Sequence, residues 1–217
     1  MRADLHIHSS YSNDGRSSVD EIIRAAKQKG LGCIAIADHN VFKAFEEVPE
    51  CDGMVMIPAE EVSSSEGHIL AYGIDRHIER GKGILETIDM IHSAGGIAVA
   101  AHPYRWWSGI GEKNVLEEFD AVEVFNARSA KGSNNKAVKL AARMNKPFTG
   151  GSDAHRAENV GDAYTEFSDD IADRDGVIRA ILAGDVKVNG KHRTRTATLR
   201  YGTKSITEWA GRGFKRI

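Results

Sequence analysis

Apolar positions along the chain follow two alternating rhythms. Short runs rich in alanine, isoleucine and valine predict strands at 3–8, 33–37, 54–62, 68–72, 97–101, 121–125, 147–151 and 163–167. Between them, apolar residues recurring every three or four positions predict helices at 19–29, 40–48, 83–94, 134–144 and 173–182. The helix at 19–29 carries the fullest set of signals. Ser18 stands at its N-cap, Glu21 in its first turn and Gly30 past its end, while Val19, Ile22, Ile23 and Ala26 form an apolar stripe suited to packing on a sheet. Strand–helix alternation of this kind implies an α/β fold with a mainly parallel sheet. Seven or so strands without a long linker suit a barrel better than an open, doubly wound sheet.

Composition narrows this to one domain, since 217 residues at 41% hydrophobic content bury a single core. No apolar run approaches the roughly 18 residues of a membrane span, and the start, Met1-Arg2-Ala3-Asp4, lacks a signal-like run, so a cytoplasmic protein without a membrane partner is expected. Cys33 and Cys51 are too few for a disulfide framework and match no zinc knuckle. Charge is less even than the net −2 implies. Beyond Asp185 stand nine lysines and arginines against the single acid Glu208, leaving about −10 on the preceding part. Gathered acids suit the holding of cations, and the basic segment is read either as a surface for an anionic ligand or as an ordinary solvated terminus. Nothing in the sequence specifies an oligomeric state.

The histidines carry the chemistry. Six of the nine, His6, His8, His39, His68, His102 and His155, fall at or beside predicted strand ends, the rim where a parallel α/β barrel assembles its sites. His6 and His8 are two apart on a strand and share a face, and Asp153 and His155 repeat the spacing. Mixed imidazole and carboxylate donors suit zinc, manganese or iron better than calcium or magnesium. His77, His92 and His192 lack that context and are read as structural or surface residues. Glu60 and Glu61 must point to opposite faces of a strand, so only one of them reaches the site. Asp4 and Asp38 are better placed to orient ligands than to bind metal. Gly81-Lys82-Gly83 and Gly95-Gly96 complete no phosphate-binding fingerprint and read as turns.

Taken in order, Asp4-Leu5-His6-Ile7-His8, Tyr11-Ser12-Asn13-Asp14-Gly15, Ala37-Asp38-His39-Asn40, Glu61-Val62-Ser63, His68-Ile69-Leu70, Ala101-His102-Pro103 and Gly151-Ser152-Asp153-Ala154-His155 resemble the successive motifs of the PHP (polymerase and histidinol phosphatase) superfamily. The resemblance implies a distorted (β/α)7 TIM-like barrel of the PHP type over residues 1–190, with 191–217 as a basic C-terminal extension packed on or beside it. It also implies two to three divalent ions: one on His6, His8, Glu61 and Asp153, a second on Glu61, His68 and His102, a third on Asp14, His39 and His155. Glu61, His102 and Asp153 would carry catalysis as well as metal, and the Glu-Val-Ser pattern selects Glu61 over Glu60.

The activity this implies is phosphate-ester hydrolysis by metal-activated water, on a small phosphomonoester or a nucleotide. Cleavage of nucleic acid ends and a non-phosphate, amidohydrolase-like hydrolysis are the alternatives. Arg105, Arg128 and Arg156 each follow a predicted strand end and are candidates for phosphate contact. Trp106 and Trp107 read either as stacking surfaces for a ring or as packing over the barrel mouth.

Overall fold

The chain's computed structural model describes residues 1–48, 50–106, 108–168 and 171–192. Its strands are β1 (Arg2–Ile7), β2 (Cys33–Ile36), β3 (Val55–Ser63), β4 (His68–Tyr72), β5 (Ile97–Ala100), β6 (Ala121–Asn126), β7 (Phe148–Gly151), β8 (Ala163–Glu166) and β9 (Lys187–Gly190). The α-helices are α1 (Val19–Gln28), α2 (Lys43–Glu47), α3 (Ile84–Ser93), α4 (Lys131–Arg143) and α5 (Arg174–Ala183). The basic segment expected at 191–217 lies outside the described residues from 193 onward, as does Trp107.

The strands lie in the order β7-β6-β5-β4-β3-β2-β1-β8-β9. β1, β2 and β3 pair in parallel, as do β5, β6 and β7, while β4 runs antiparallel to both β3 and β5. The sheet nearly closes on itself. Ile7 bridges Ala154 in parallel, and the His8 N–H donates to the Ala154 carbonyl at 2.8 Å. The Thr165 hydroxyl accepts from the Gly150 N–H and donates to the Gly150 carbonyl, both at 2.9 Å. The result is the distorted (β/α)7 barrel expected above. Reversal of β4 puts its first residue, His68, at the same rim as the residues that follow β1, β2, β5 and β7.

Side chains along the strands grade from apolar to charged. Ile57 and Ala59 of β3 and Ala121 of β6 pack with Cys33, Ala35, Tyr72 and Val99 in one buried cluster. The next positions on those two faces are Glu61 and Glu123, so charge enters only where the strands approach the rim. Outside the strands, Val19, Ile22, Ile23 and Ala26 of α1 pack on Ile34 and Ile36. The start of α1 is closed reciprocally: the Glu21 N–H donates to Ser18 Oγ, and the Ser18 N–H donates to the Glu21 carboxylate at 2.8 Å.

Three elements depart from the expected ones. α2 begins at Lys43 rather than at 40, because Asn40 adopts φ +55° and bonds the Ser63 N–H and hydroxyl through its amide. α4 begins three residues before the expected 134, in a stretch with no apolar side chain for periodicity to register. β9 was not expected, since its mostly exposed positions show no alternation; it pairs on the outer edge of β8.

Candidate metal centre

Nine side chains converge at the rim, and Glu61 is their hub. Its Oε1 lies 2.7 Å from His68 Nδ1 and 2.9 Å from His102 Nε2, while Oε2 lies 3.1 Å from His6 Nε2 and 3.2 Å from His8 Nε2. Asp14 Oδ2 is 2.7 Å from His155 Nε2 and 3.8 Å from His39 Nε2, and Asp153 Oδ1 is 3.5 Å from His8 Nε2. Four overlapping groups have donor atoms within 4.8 Å of one another: His8, Asp14, His39 and His155; His6, His8 and Glu61; His6, His102 and Asp153; His39, Glu61 and His68. Together these are the nine residues selected from the sequence, with His6, His8, His39 and Glu61 each belonging to two groups.

The donor set fits divalent cations on its own chemistry. His6 Nε2 and His8 Nε2 face each other at 3.1 Å, and they turn towards carboxylates that cannot donate. Asp14 Oδ1 and His102 Nδ1 are buried without a hydrogen-bond partner among the described residues; His39 Nδ1 faces Glu61 Oε2 at 3.2 Å but without hydrogen-bond geometry. Buried acceptor atoms crowded this closely are costly unless protons or cations sit among them, and divalent cations satisfy the whole set.

Local backbone geometry aims these ligands. His102 and Asp153 follow β5 and β7 with φ of +26° and +52°, sparsely populated for side chains of their kind, and both turn into the cluster. Asp38 holds the loop after β1: its carboxylate accepts from the Ser9 N–H and the Ser12 hydroxyl, both at 2.7 Å, and Ser12 Oγ accepts from the His39 N–H at 2.8 Å. Asp4 accepts from the Ser152 N–H at 2.9 Å and the Gly161 N–H at 2.7 Å, tying β1 to the loop that carries Asp153. Glu60 points away from the cluster, as strand alternation requires, and accepts from the Ile78 N–H at 3.1 Å beside His77.

Electrostatics sets the protonation of these side chains. Burial would raise Glu61, but the imidazoles of His39, His68 and His6 overcome it and hold the carboxyl well below its usual range. Burial likewise opposes ionisation of Asp153, and Arg105, Arg128 and His6 reverse that. Burial, reinforced by Arg105, lowers His102 to about 4; burial, reinforced by Arg128, lowers His155 to about 4. Ionised carboxylates beside neutral imidazoles are the forms that bind metal. His6 and His8 are different: burial lowers both, but Glu123, Glu61 and Asp153 raise His6 well above its usual value, and Asp153 and Glu61 carry His8 to about 9, so a cation there would displace protons.

Comparison with known proteins agrees with this architecture. Residues 131–186 match the family described as PHP-associated. MJ1587 of Methanocaldococcus jannaschii is 35% identical over 158 residues, 64% of this chain and 92% of the relative. A two-domain protein of Bacteroides vulgatus containing a predicted PHP-like metal-dependent phosphoesterase superposes with a TM-score of 0.69 at 18% identity, over 92% of this chain and 68% of that one. The chain belongs to the PHP family. The lesion-specific endonuclease Q of Pyrococcus furiosus shares the same PHP fold, with a TM-score of 0.68 at 18% identity over 86% of this chain and 57% of its own.

Around the PHP cluster, two of the three candidate arginines reach one of its nine residues. Arg105 Nη2 lies 2.5 Å from Asp153 Oδ2, and Arg128 Nη1 lies 2.8 Å from Asp153 Oδ1 and 2.6 Å from His155 Nδ1. Arg156 is exposed beside His155, and Trp106 is 89% exposed directly after Arg105. Two residues at the centre were not anticipated. Glu123 receives His6, and Asn126 joins Glu123, Asp153 and Arg105. Their signal was present as polar side chains at buried positions of a predicted strand, but such a position does not by itself reveal its partners. Of the three histidines set aside, His92 Nε2 meets Asp120 at 2.8 Å, His77 meets Glu60 and His192 stacks on Phe125.

Proposed function

We propose that this PHP protein hydrolyses a phosphate ester, a small phosphomonoester or a nucleotide. His6, His8, Asp14, His39, Glu61, His68, His102, Asp153 and His155 would hold two to three divalent ions, of zinc, manganese or iron. Such ions, when bound, supply hydroxide near neutral pH and offset charge on phosphoryl oxygens. Arg105 and Arg128 would hold the phosphoryl group, since planar guanidinium forks match its oxygens. Asp153 or a metal-bound water would assist proton transfer. Arg156, at the exposed rim, would contact more distant parts of the substrate.

The observation that carries the reading is the meeting of two guanidiniums with Asp153 inside a cluster of nine metal-type donors. Trp106 beside Arg105 favours a leaving group with a ring, hence the nucleotide. Cleavage at nucleic acid ends is the second reading; the fold shared with a lesion-specific endonuclease favours nucleic acid as substrate without favouring its ends. The test is phosphate release from phosphomonoesters, nucleotides and short oligonucleotides by metal-stripped protein with manganese, zinc, iron or magnesium restored. Asp153→Asn and His102→Ala serve as controls. Metal-dependent turnover lost in both variants is expected. Metal binding without turnover on any substrate would sink the phosphoesterase reading.

A further inference from the structure

Glu123 lies on β6, 1% exposed, and touches two of the ligands without belonging to any of the four donor groups. Its Oε1 is 2.8 Å from His6 Nδ1, on the side of that ring opposite the cluster. Its Oε2 accepts from the backbone N–H of His102 at 2.8 Å. The Asn126 Nδ2 lies 3.3 and 3.2 Å from the two oxygens, and the same amide nitrogen is 3.1 Å from Asp153 Oδ2. One carboxylate therefore touches a ligand ring, fixes the backbone of a second ligand and is linked through Asn126 to a third.

We propose that Glu123 is the positioning residue of the metal centre: it fixes His6 as the Nδ1–H tautomer, so that the Nε2 lone pair faces the cluster, and it pins His102 in its left-handed turn. The inference rests on the metal-centre reading above. Its physical basis is donor and acceptor inventory. His6 Nδ1–H, His102 N–H and the Asn126 amide all donate, and a carboxylate, with two oxygens that only accept, satisfies all three. A carboxamide of the same shape cannot. Whichever way it turns, its NH2 group meets a donor, either His6 Nδ1–H or His102 N–H. If the amide faces His6, the ring escapes the clash by moving its proton to Nε2, which removes the lone pair from the cluster. If it faces His102, the left-handed turn loses its tether.

The same bonding recurs at the other end of these strands and supplies the control. Asp120, just before β6, accepts from the Ala98 N–H at 2.7 Å and meets His92 Nε2 at 2.8 Å, far from the cluster. Asp120→Asn thus removes a carboxylate that bridges a backbone N–H and an imidazole, without touching a ligand.

The experiment titrates metal-stripped full-length protein with cobalt(II), reading affinity and the visible d–d spectrum, beside thermal unfolding of the metal-free forms. Glu123→Gln is expected to bind cobalt at least about tenfold more weakly, with an altered spectrum. Asp120→Asn should bind as the parent does, even where its metal-free unfolding temperature falls as far. Should Glu123→Gln not fold, Glu123→Asp keeps both acceptors but withdraws them by one methylene, and the same weakening and spectral change are expected. Parent-like affinity and spectrum in the Glu123 variant, or equal weakening in Asp120→Asn, would overturn the proposal. A parent protein that takes up no cobalt overturns the metal-centre reading itself.

Discussion

A Cβ placed on Gly151 would lie 2.5 Å from the Cβ of His6 and 2.7 Å from its backbone nitrogen, so β7 and β1 touch backbone to backbone beside the ligands. Gly151→Ala must push these strands apart, and with them His6 and the Asp153 loop. The expected cost is about 1–3 kcal/mol of stability together with weakened metal binding. Thermal unfolding and metal content after dialysis check both. Gly132→Ala in α4 is the contrast: its Cβ meets nothing within 4 Å, and a gain of about 0.4–1 kcal/mol is expected.

Removal of metal should destabilise the protein reversibly. Ions that bind only the folded chain add roughly 2.7 kcal/mol at a concentration 100 times their dissociation constant. Unfolding temperature is therefore expected to fall on chelation and to recover on adding zinc or manganese. Asp153→Asn should show a smaller recovery. A chelator-insensitive transition in protein shown to carry metal would contradict the expectation.

Arg105→Ala and Arg128→Ala should separate phosphate binding from metal binding. Losing one charged hydrogen-bonding fork costs about 1.5–3 kcal/mol, or roughly ten- to a hundredfold in kcat/KM. Metal content should stay at the parent level in both. Arg156→Ala, whose side chain stands exposed at the rim, should cost less than either. Kinetics on the best substrate, with metal analysis of the same samples, decides this.

Ser18→Ala tests the fold apart from the site. It breaks the reciprocal cap of α1 and should cost about 1 kcal/mol while cobalt binding is unchanged. Denaturant unfolding monitored by circular dichroism is the measurement.

Much of the candidate site was legible because its residues sit in local contexts. His6 and His8 share a face by spacing alone, and strand alternation sends Glu60 and Glu61 to opposite sides. Capping signals around Ser18 and Gly30 act within a few residues, so α1 forms where they indicate. Expectation and structure part where the cause is not local. Asn40 leaves the helical region because Ser63, on another strand, offers it two hydrogen bonds. The direction of β4 leaves no mark on an apolar run, since alternation reads the same both ways.

From its own sequence, then, this protein determines which side chains can bind metal and the rhythm that places them at strand ends, because spacing of two or of three to four residues acts within a single element. Tertiary structure alone decided the rest. Closure of the barrel brings Glu123 against His6 from 117 residues away and Asp14 against His155 from 141. The reversal of β4 carries His68 to the rim, and left-handed turns aim His102 and Asp153 inward. These relationships depend on strand order, strand direction and backbone angles set by contacts between distant segments, and no local pattern encodes them.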